Sequence, residues 1–460
     1  MSEDISIPEE SLNKHETFTQ EEYMVMKNDL LKPIEKIGKA GKIWIAFLIT
    51  VFLAGVFAYY LQETRGKYTT INLRDYTMWG VYISNFLFMV AIGLVGVLMS
   101  AILKLTHFEW YRPLSRIAEV IAIGSIMFAG VSIIVAMGRP DRLINLLLYG
   151  RIQSPIVWDV IGISTDLAAS LILLFIPLIP SIITCKNNLK NLPKWQLKMY
   201  NILSFGWKGT PEQWKILKKT MRILTILLIP LGILICTITA WLFATTLRAE
   251  WDSTNFGAYF VSNAFLLSSA VMILATFAFR KAYNLEKYLT ELHFDKMGQV
   301  LVLMALIHGY FNINEYLIPA YKMSGLHENH LLSLFIGKDA LFYWSVVIFG
   351  IIVPFLLPLF PKLRKPIPLT IISVVVLVAG WFRLYLIVIP GLLQPYLPIQ
   401  DVPESWKHYT PSLVEMTIVA ATFAGVLLVV TLFSRFFPIV SVWEVAEGQL
   451  EGKEEIINYK

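Results

Sequence analysis

The chain has 460 residues, of which 56% are hydrophobic and only 16% charged, and its mean hydropathy is strongly positive. So little polar surface cannot cover that much apolar side chain in water, which excludes an ordinary soluble globule and makes lipid the preferred solvent. The net charge of +6 does not point to nucleic acid, because the Lys and Arg residues fall between apolar runs.

The first forty residues are polar and lack a signal-peptide pattern, so the first apolar run is expected as a retained helix. Crossing about 30 Å of hydrocarbon at about 1.5 Å per residue takes about 20 residues. Ten runs reach that length: 42–61, 78–103, 114–138, 155–184, 221–247, 256–279, 297–320, 339–360, 367–393 and 412–434. Pro113, Pro155, Pro180, Pro366 and Pro411 stand near their ends, as expected of a residue with no amide hydrogen to donate. The fold class that follows is an all-α integral membrane protein with about ten transmembrane helices.

With the N-terminus inside, 28 of the 39 basic residues fall in cytoplasmic segments and 10 outside, with Arg383 left within a helix. That excess predicts both termini cytoplasmic and a multi-pass protein of the cytoplasmic, or inner, membrane. The organisation expected is a cytoplasmic segment 1–41, helices 1 to 4 over 42–184, a basic cytoplasmic loop 185–220, helices 5 to 10 over 221–434 and a cytoplasmic tail 435–460. The loop carries eight lysines from Lys186 to Lys219 against Glu212 alone. Such a charge run anchors topology on anionic headgroups or offers a docking surface.

Only Cys185 and Cys236 occur, with no CxxC, CxxCH or four-cysteine spacing, so no iron–sulfur cluster or c-type haem is expected. Of seven histidines only His308 lies deep in an apolar run. A b-type haem usually takes two, so neither an intrinsic haem nor a metal site is expected.

Ionisable groups within apolar runs cost a few kcal/mol each, about 2.5–3.5 on insertion scales, and are functional candidates by default. In SPIVWDVIGISTDLAAS, Asp159 lies roughly 6 Å and Asp166 roughly 16 Å below Pro155. Their seven-residue spacing puts both carboxylates on one helix face, with Ser170 a turn further on. Such a stack would carry a proton inward; alternatively each Asp caps or pairs structurally. The preceding MGRPDRLINLLLYGRIQSP clusters Arg139, Asp141, Arg142 and Arg151 at the outer interface. Its amphipathic middle suits a flat roof over a pocket, or a set of snorkelling arginines.

HGYFNINEYL places His308, Asn312 and Glu315 at i, i+4 and i+7, one polar stripe, with Arg383 of GWFRLYLIV at a depth that makes it the natural partner of Glu315. Arg116 and Glu119 are i, i+3 neighbours at an inner helix end. They either neutralise each other or form the mouth of a proton path.

The stretches WGVYISNFLFMVAIGLVGVLMSAIL, RPLSRIAEVIAI, GRPDR and SPIVWDVIGIST resemble the NrfD/PsrC family, the membrane subunits of polysulfide-reductase-like complexes. EWDSTNFGAYFVSNAF, YLTELHFDKMGQVL, YFNINEYL and YTPSLVE look like the large ten-helix member of alternative complex III. The resemblance implies two four-helix bundles plus flanking helices, and a subunit without its own haem or cluster that binds quinone or quinol near the outer face. It implies electron exchange with a ferredoxin-like iron–sulfur subunit, and beyond it multihaem cytochrome or molybdopterin-type subunits, with a second NrfD-like subunit as a further partner beside membrane lipid. By position, Asp159 and Arg139 match the catalytic pair, with Trp158, Asp252 and Ala136 at quinone-binding positions. Asp166, Glu119, His308, Glu315 and Arg383 fall on the implied proton path.

Three departures stand out. Relatives with His-Leu-Gly-Arg-Pro contrast with Ala136-Met137-Gly138-Arg139-Pro140 here, and Trp-His-Ser-Thr with Trp251-Asp252-Ser253-Thr254. Relatives have Glu-Arg after a tryptophan pair, whereas Arg383 is followed by Leu384. A pocket without that histidine takes the quinol proton on a carboxylate, binds a different quinone, or is inactive; as a base, Asp159 is the first choice. Two other readings remain open: a scaffold that has lost its quinone site, and a proton-coupled transporter.

Overall fold

The computed structural model describes residues 20–35, 37–74, 77–97, 109–189, 192–246, 248, 251–322, 325–394, 401 and 403–447. In chain order they form α1 Gln20–Glu35, α2 Lys39–Arg65, α3 Val81–Gly93, α4 Ser115–Ala136, α5 Leu143–Tyr149, α6 Pro155–Asn188 and α7 Lys194–Leu203. There follow α8 Pro211–Ala244, α9 Phe256–Ala282, α10 Glu291–Lys322, α11 Gly325–Phe335, α12 Ala340–Leu359, α13 Pro366–Leu392 and α14 Leu413–Phe436. No strand occurs among the described residues. Nine of their helices are long and apolar enough to cross a membrane, and the chain is a multi-pass all-α membrane protein. The expected run 78–103 is described only to residue 97, as α3 and a turn at Leu94; its remainder lies outside the described residues.

Pro155 and Pro366 occupy first helical turns, as expected. Pro180 does not end its helix. With Pro177 it lies inside α6, which continues to Asn188, and the Pro177 carbonyl is taken up by Arg116 Nη2 at 3.3 Å and Trp443 Nε1 at 3.2 Å. These bonds brace the proline-bearing stretch of α6 from two neighbouring segments. Helix α8 begins at Pro211, well before the apolar run at 221, because Thr210 and Gln213 form a reciprocal capping box in the basic segment.

Helices α3, α4, α6 and α8 pack successively against one another, and α9, α10, α12 and α13 form a second group joined to the first through α8, α9, α3 and α13. The pair α2 and α14 flanks them, with α14 against α4. Without a hydrophobic drive between helices in lipid, close approach rests on small residues. A Cβ on Gly55 of α2 would fall 2.0 Å from the Ala421 Cβ of α14, and one on Gly425 2.0 Å from Phe128 Cζ of α4. Gly55→Leu is expected to destabilise the fold by about 1–3 kcal/mol through overpacking, read as a lower melting temperature in detergent.

Both described ends of the chain lie at one end of the bundle, here the basal end. Arg435 Nη1 donates to the Pro33 carbonyl at 3.0 Å, the Tyr200 hydroxyl to the Phe436 carbonyl at 2.5 Å, and Lys218 pairs with Glu447 at 2.5 Å. Helix α4 runs from this end, where Ser115 Oγ meets Glu444 at 3.2 Å, to the opposite, distal end, so the turn 137–154 is distal. The described part of the basic segment 185–220 and the two described ends of the chain therefore share a side.

Candidate functional site

Asp159 and Asp166 are buried, 3% and 6% exposed, on the face of α6 that packs on α8. The sequence folds that way because the opposite face carries Ile161, Leu171 and Ile172, all exposed to lipid. Thr239 of α8 donates its hydroxyl to Asp159 Oδ1 at 2.6 Å. Cys236, three residues earlier on α8, lies near both carboxylates. Neither Asp has a basic partner among the described residues, and Asp166 has no hydrogen bond to any of them. Two carboxyl groups seven residues apart, roughly 10 Å along the helix, thus share a seam with a hydroxyl and a thiol and no countercharge. Groups so placed hold or pass protons at much less cost than they carry fixed charge.

Above this seam the chain turns at 137–154. Lys67, just past α2, directs its ammonium at the C-terminal carbonyls of α4: Val135 at 3.0 Å, Ala136 at 3.2 Å, and Met137. Gln62 Nε2 adds a bond to the Val135 carbonyl at 3.1 Å, and the Gln62 amide oxygen accepts from the Tyr82 hydroxyl at 2.7 Å. A cation and an amide therefore finish α4 where its last carbonyls lack partners, while burial pushes the Lys67 ammonium down from its ordinary pKa. Lys67→Met is expected to cost about 1–2 kcal/mol, read as a thermal shift.

Arg139 is paired through Nε and Nη2 with Asp141 at 3.1 and 2.9 Å, and both side chains are more than half exposed. No hydrogen bond or ion pair joins Arg139 to Asp159. The arginine holds the Asp141 carboxyl below its usual range. Helix α5 buries none of its residues, and Leu147, Leu148, Tyr149 and Ile152 stand fully outward. Trp158, partly exposed, donates its indole N–H to the Ile152 carbonyl and so ties this turn to the top of α6.

The second polar core lies between α9, α10 and α13. His308, fully buried, has Nδ1 3.0 Å from Ser262 Oγ and Nε2 2.5 Å from Arg383 Nη1, which also donates to Asn263 Oδ1 at 3.1 Å. A guanidinium only donates, so Nε2 accepts and the imidazole is neutral with its proton on Nδ1. The Ser262 hydroxyl, spending its hydrogen on the Tyr259 carbonyl at 2.8 Å, receives that proton's bond. Arg383 keeps Nε and Nη2 without an acceptor among the described residues. Room for it comes from Gly350 in the π turn Ile348–Ile352, where a Cβ would fall 2.6 Å from Nη2.

Arg383 does not pair with Glu315. Glu315 lies seven residues, roughly 10 Å, beyond His308 along α10, and its Oε2 accepts from Ser253 Oγ at 2.9 Å and Asn255 Nδ2 at 3.0 Å. Asn312 and Tyr259 lie between, with Asn312 Nδ2 3.4 Å from the Tyr259 hydroxyl and the Tyr259 ring centroid 5.1 Å from that of His308. Glu315 lines a cavity of about 20 Å³ with Tyr259, Tyr316, His327 and His330, room for one water. Asp252, partly exposed, stands 3.6 Å from His327 at this cavity.

A family model described as polysulphide reductase, NrfD, matches residues 69–396, which include both polar cores. The chain belongs to the NrfD family. Three relatives align over nearly their whole length. A Halobacterium salinarum chain, provisionally named as a dimethyl sulfoxide reductase membrane subunit, is 22% identical over 88% of this chain and 93% of its own. A selenate reductase subunit of Mesobacillus selenatarsenatis is 22% identical over 86% and 94%. The Hdr-like menaquinol oxidoreductase integral membrane subunit of Archaeoglobus fulgidus is 23% identical over 88% and 95%.

In this NrfD chain the expected residues therefore fall into separate groups. Asp159 and Asp166 share the α6–α8 seam, Trp158, Ala136 and Arg139 lie at the distal turn above it, and His308, Arg383, Glu315 and Asp252 belong to the second helix group. Arg116 is basal. Its hydrogen bonds go to the Pro438 carbonyl at 2.9 Å, the Pro177 carbonyl and Ser181 Oγ at 3.0 Å, while Glu444 and Glu119 act on it through their charge. Thr239 and Lys67 are contributors that carry no signal in the sequence, each a single polar residue in an apolar or loop setting. Ser262 and Asn263 stand in the stretch EWDSTNFGAYFVSNAF, but only the fold reveals what they face.

Proposed function

We propose that this NrfD-family chain is the quinone-reactive membrane subunit of an oxidoreductase complex, with its site at the distal end of the α6–α8 seam. The observation that carries the reading is Asp159: buried, held through one oxygen by Thr239, its other oxygen without a hydrogen bond to any described residue, and adjoining partly exposed Trp158. That arrangement fits a quinol headgroup, which needs an acceptor for its hydroxyl proton and an apolar flank for its ring. A bound quinol supplies two electrons and two protons on oxidation to quinone.

Asp159 takes the first of the two protons at its free oxygen and passes it to Asp166, the next acceptor along the seam, which frees it to take the second, while Thr239 orients the carboxylate. The outward apolar side chains of α5 meet the acyl region where an isoprenoid tail enters. In this reading Arg139 exchanges its pairing with Asp141 for contact with the bound headgroup, and Ala136 and Asp252 shape the surrounding turn. The row Glu315, Asn312, Tyr259, His308 and Arg383 forms a second proton route, with Glu119 at the basal end. Electrons pass to a ferredoxin-like iron–sulfur partner on the distal, extracytoplasmic side and on to multihaem or molybdopterin-type subunits. The names of the relatives, which include a selenate reductase and a menaquinol oxidoreductase, support this assignment. The flanked pair of four-helix groups supports the alternative complex III type, with both termini cytoplasmic and a second NrfD-like subunit beside it.

A reconstituted complex is expected to reduce its iron–sulfur clusters with added quinol and to lose that activity to a competing quinone analogue. A complex whose clusters are reduced by a direct electron donor but never by quinol contradicts the reading. One observation favours a second reading, a scaffold without a quinone site: Arg139 is already neutralised by Asp141 in the open. Failure of a quinone analogue to bind the intact complex selects it.

A further inference from the structure

A large cleft lies far from the distal turn. It opens between α2, α9, α13 and α14, encloses about 1210 Å³, and reaches down to Met89 and Ile92 of α3. That volume exceeds the range of about 300–1,000 Å³ for pockets built for small ligands. Its wall is graded. Along α14 it runs from Phe423 through Val426 and Val430 to Thr431, Ser434 and Arg435, and along α9 from Val271 through Ala275 and Phe279 to Tyr283. Twelve residues of helix span roughly 18 Å, a little more than one leaflet of a hydrocarbon core about 30 Å thick.

The polar end carries Lys32, Lys287 and Arg435 against Asp29 and Glu35. Asp29 is engaged by the Tyr288 hydroxyl at 3.2 Å. Arg435 lies over the Tyr283 ring at 5.2 Å and reaches the Pro33 carbonyl, yet among the described residues no carboxylate pairs with it and its buried Nε–H has no acceptor. An excess of cations, one of them an arginine with no carboxylate partner among the described residues, sits at headgroup depth over an apolar cleft one leaflet deep. The matching ligand is an amphiphile with two acyl chains and an anionic phosphate, because phosphate accepts the charge-assisted bonds that Arg435 leaves open.

We infer that this basal cleft is a binding site for one anionic diacyl phospholipid, its phosphate on Arg435 with Lys32 and its chains along α9 and α14. The lipid completes the contact of α2 with the second helix group.

The test uses the purified complex, delipidated and titrated with phosphatidylglycerol or phosphatidylcholine, with retained lipid counted by native mass spectrometry. The expected result is one tightly held phosphatidylglycerol on this subunit, bound about tenfold more weakly by Arg435→Gln, the loss of roughly one charge-assisted bond. Ala278→Trp, which fills the cleft and touches no cation, is expected to lose the lipid as well, and it keeps the test valid should Arg435→Gln fail to assemble. Equal retention of both lipids, retention unchanged in Ala278→Trp, a quinone released from the cleft, or a partner helix occupying it in the complex would each overturn the inference.

Discussion

Replacing Asp159 by Asn is expected to lower quinol-dependent reduction of the partner clusters by about 10²–10⁴-fold, the usual contribution of a positioned proton acceptor, with the complex still assembled. Asparagine keeps an oxygen for the Thr239 hydroxyl, which is 2.6 Å away in the native chain, so packing of α6 on α8 persists and the loss is chemical. Because no basic group among the described residues accompanies the Asp159 carboxyl, neutralising it leaves no orphaned cation behind. Steady-state turnover with a soluble quinol, beside a melting curve of the same preparation, separates the two effects. Turnover near the native rate rules out Asp159 as the acceptor.

The largest structural effect is expected at Glu415, at the start of α14. This carboxylate is fully buried and accepts from the Tyr409 hydroxyl at 2.6 Å, the Ser412 amide at 2.8 Å and the Asn72 amide at 3.3 Å. In return the Glu415 amide donates to Ser412 Oγ at 3.2 Å, completing a capping box. Glu415→Ala strands a phenol and two backbone amides away from water, and at about 1–3 kcal/mol for each unsatisfied group a loss of about 3–5 kcal/mol is expected, since the site relaxes in part. The Tyr409 hydroxyl, which also receives the Val81 amide at 3.0 Å, loses its place, so the distal end of α3 loosens with α14. Glu415→Gln, keeping one acceptor, is expected to lose about half as much. Thermal unfolding in detergent measures both, and an Ala variant as stable as the native chain contradicts this account of the distal end.

The helical fold was legible because membrane burial writes itself into composition: long apolar runs with proline at helix starts such as Pro155 and Pro366 need no tertiary knowledge. The stripe of His308, Asn312 and Glu315 was legible for a similar reason, since helical period alone puts the three on one face. Arg383 reaches His308 and not Glu315, the partner expected from the sequence, because the relative depth of residues on two helices follows from sequence only roughly, and the nearly two turns between His308 and Glu315 fall within that latitude. Pro180 does not stop α6 because a proline removes one intrahelical bond, and Arg116 and Trp443 brace the helix beside it at the Pro177 carbonyl.

Lys67 and Thr239 were illegible. A lysine after a helix end ordinarily meets water, and a lone threonine in an apolar run ordinarily bonds its own backbone. Their meaning depends on what α4 and α6 bring beside them. The Ser412-x-x-Glu415 signature within YTPSLVE is that of a capping box, but the Tyr409 and Asn72 donors that Glu415 also gathers are brought to it only by the fold.

The most direct measurement is cross-linking of the intact complex with a photoreactive quinone bearing a short isoprenoid tail, followed by peptide mapping. The account predicts adducts on the 137–158 segment and on α8 near Thr239, competed away by native quinol and diminished in Asp159→Asn. Adducts confined to other helices or to another protein of the complex, with this segment unlabelled, would contradict it.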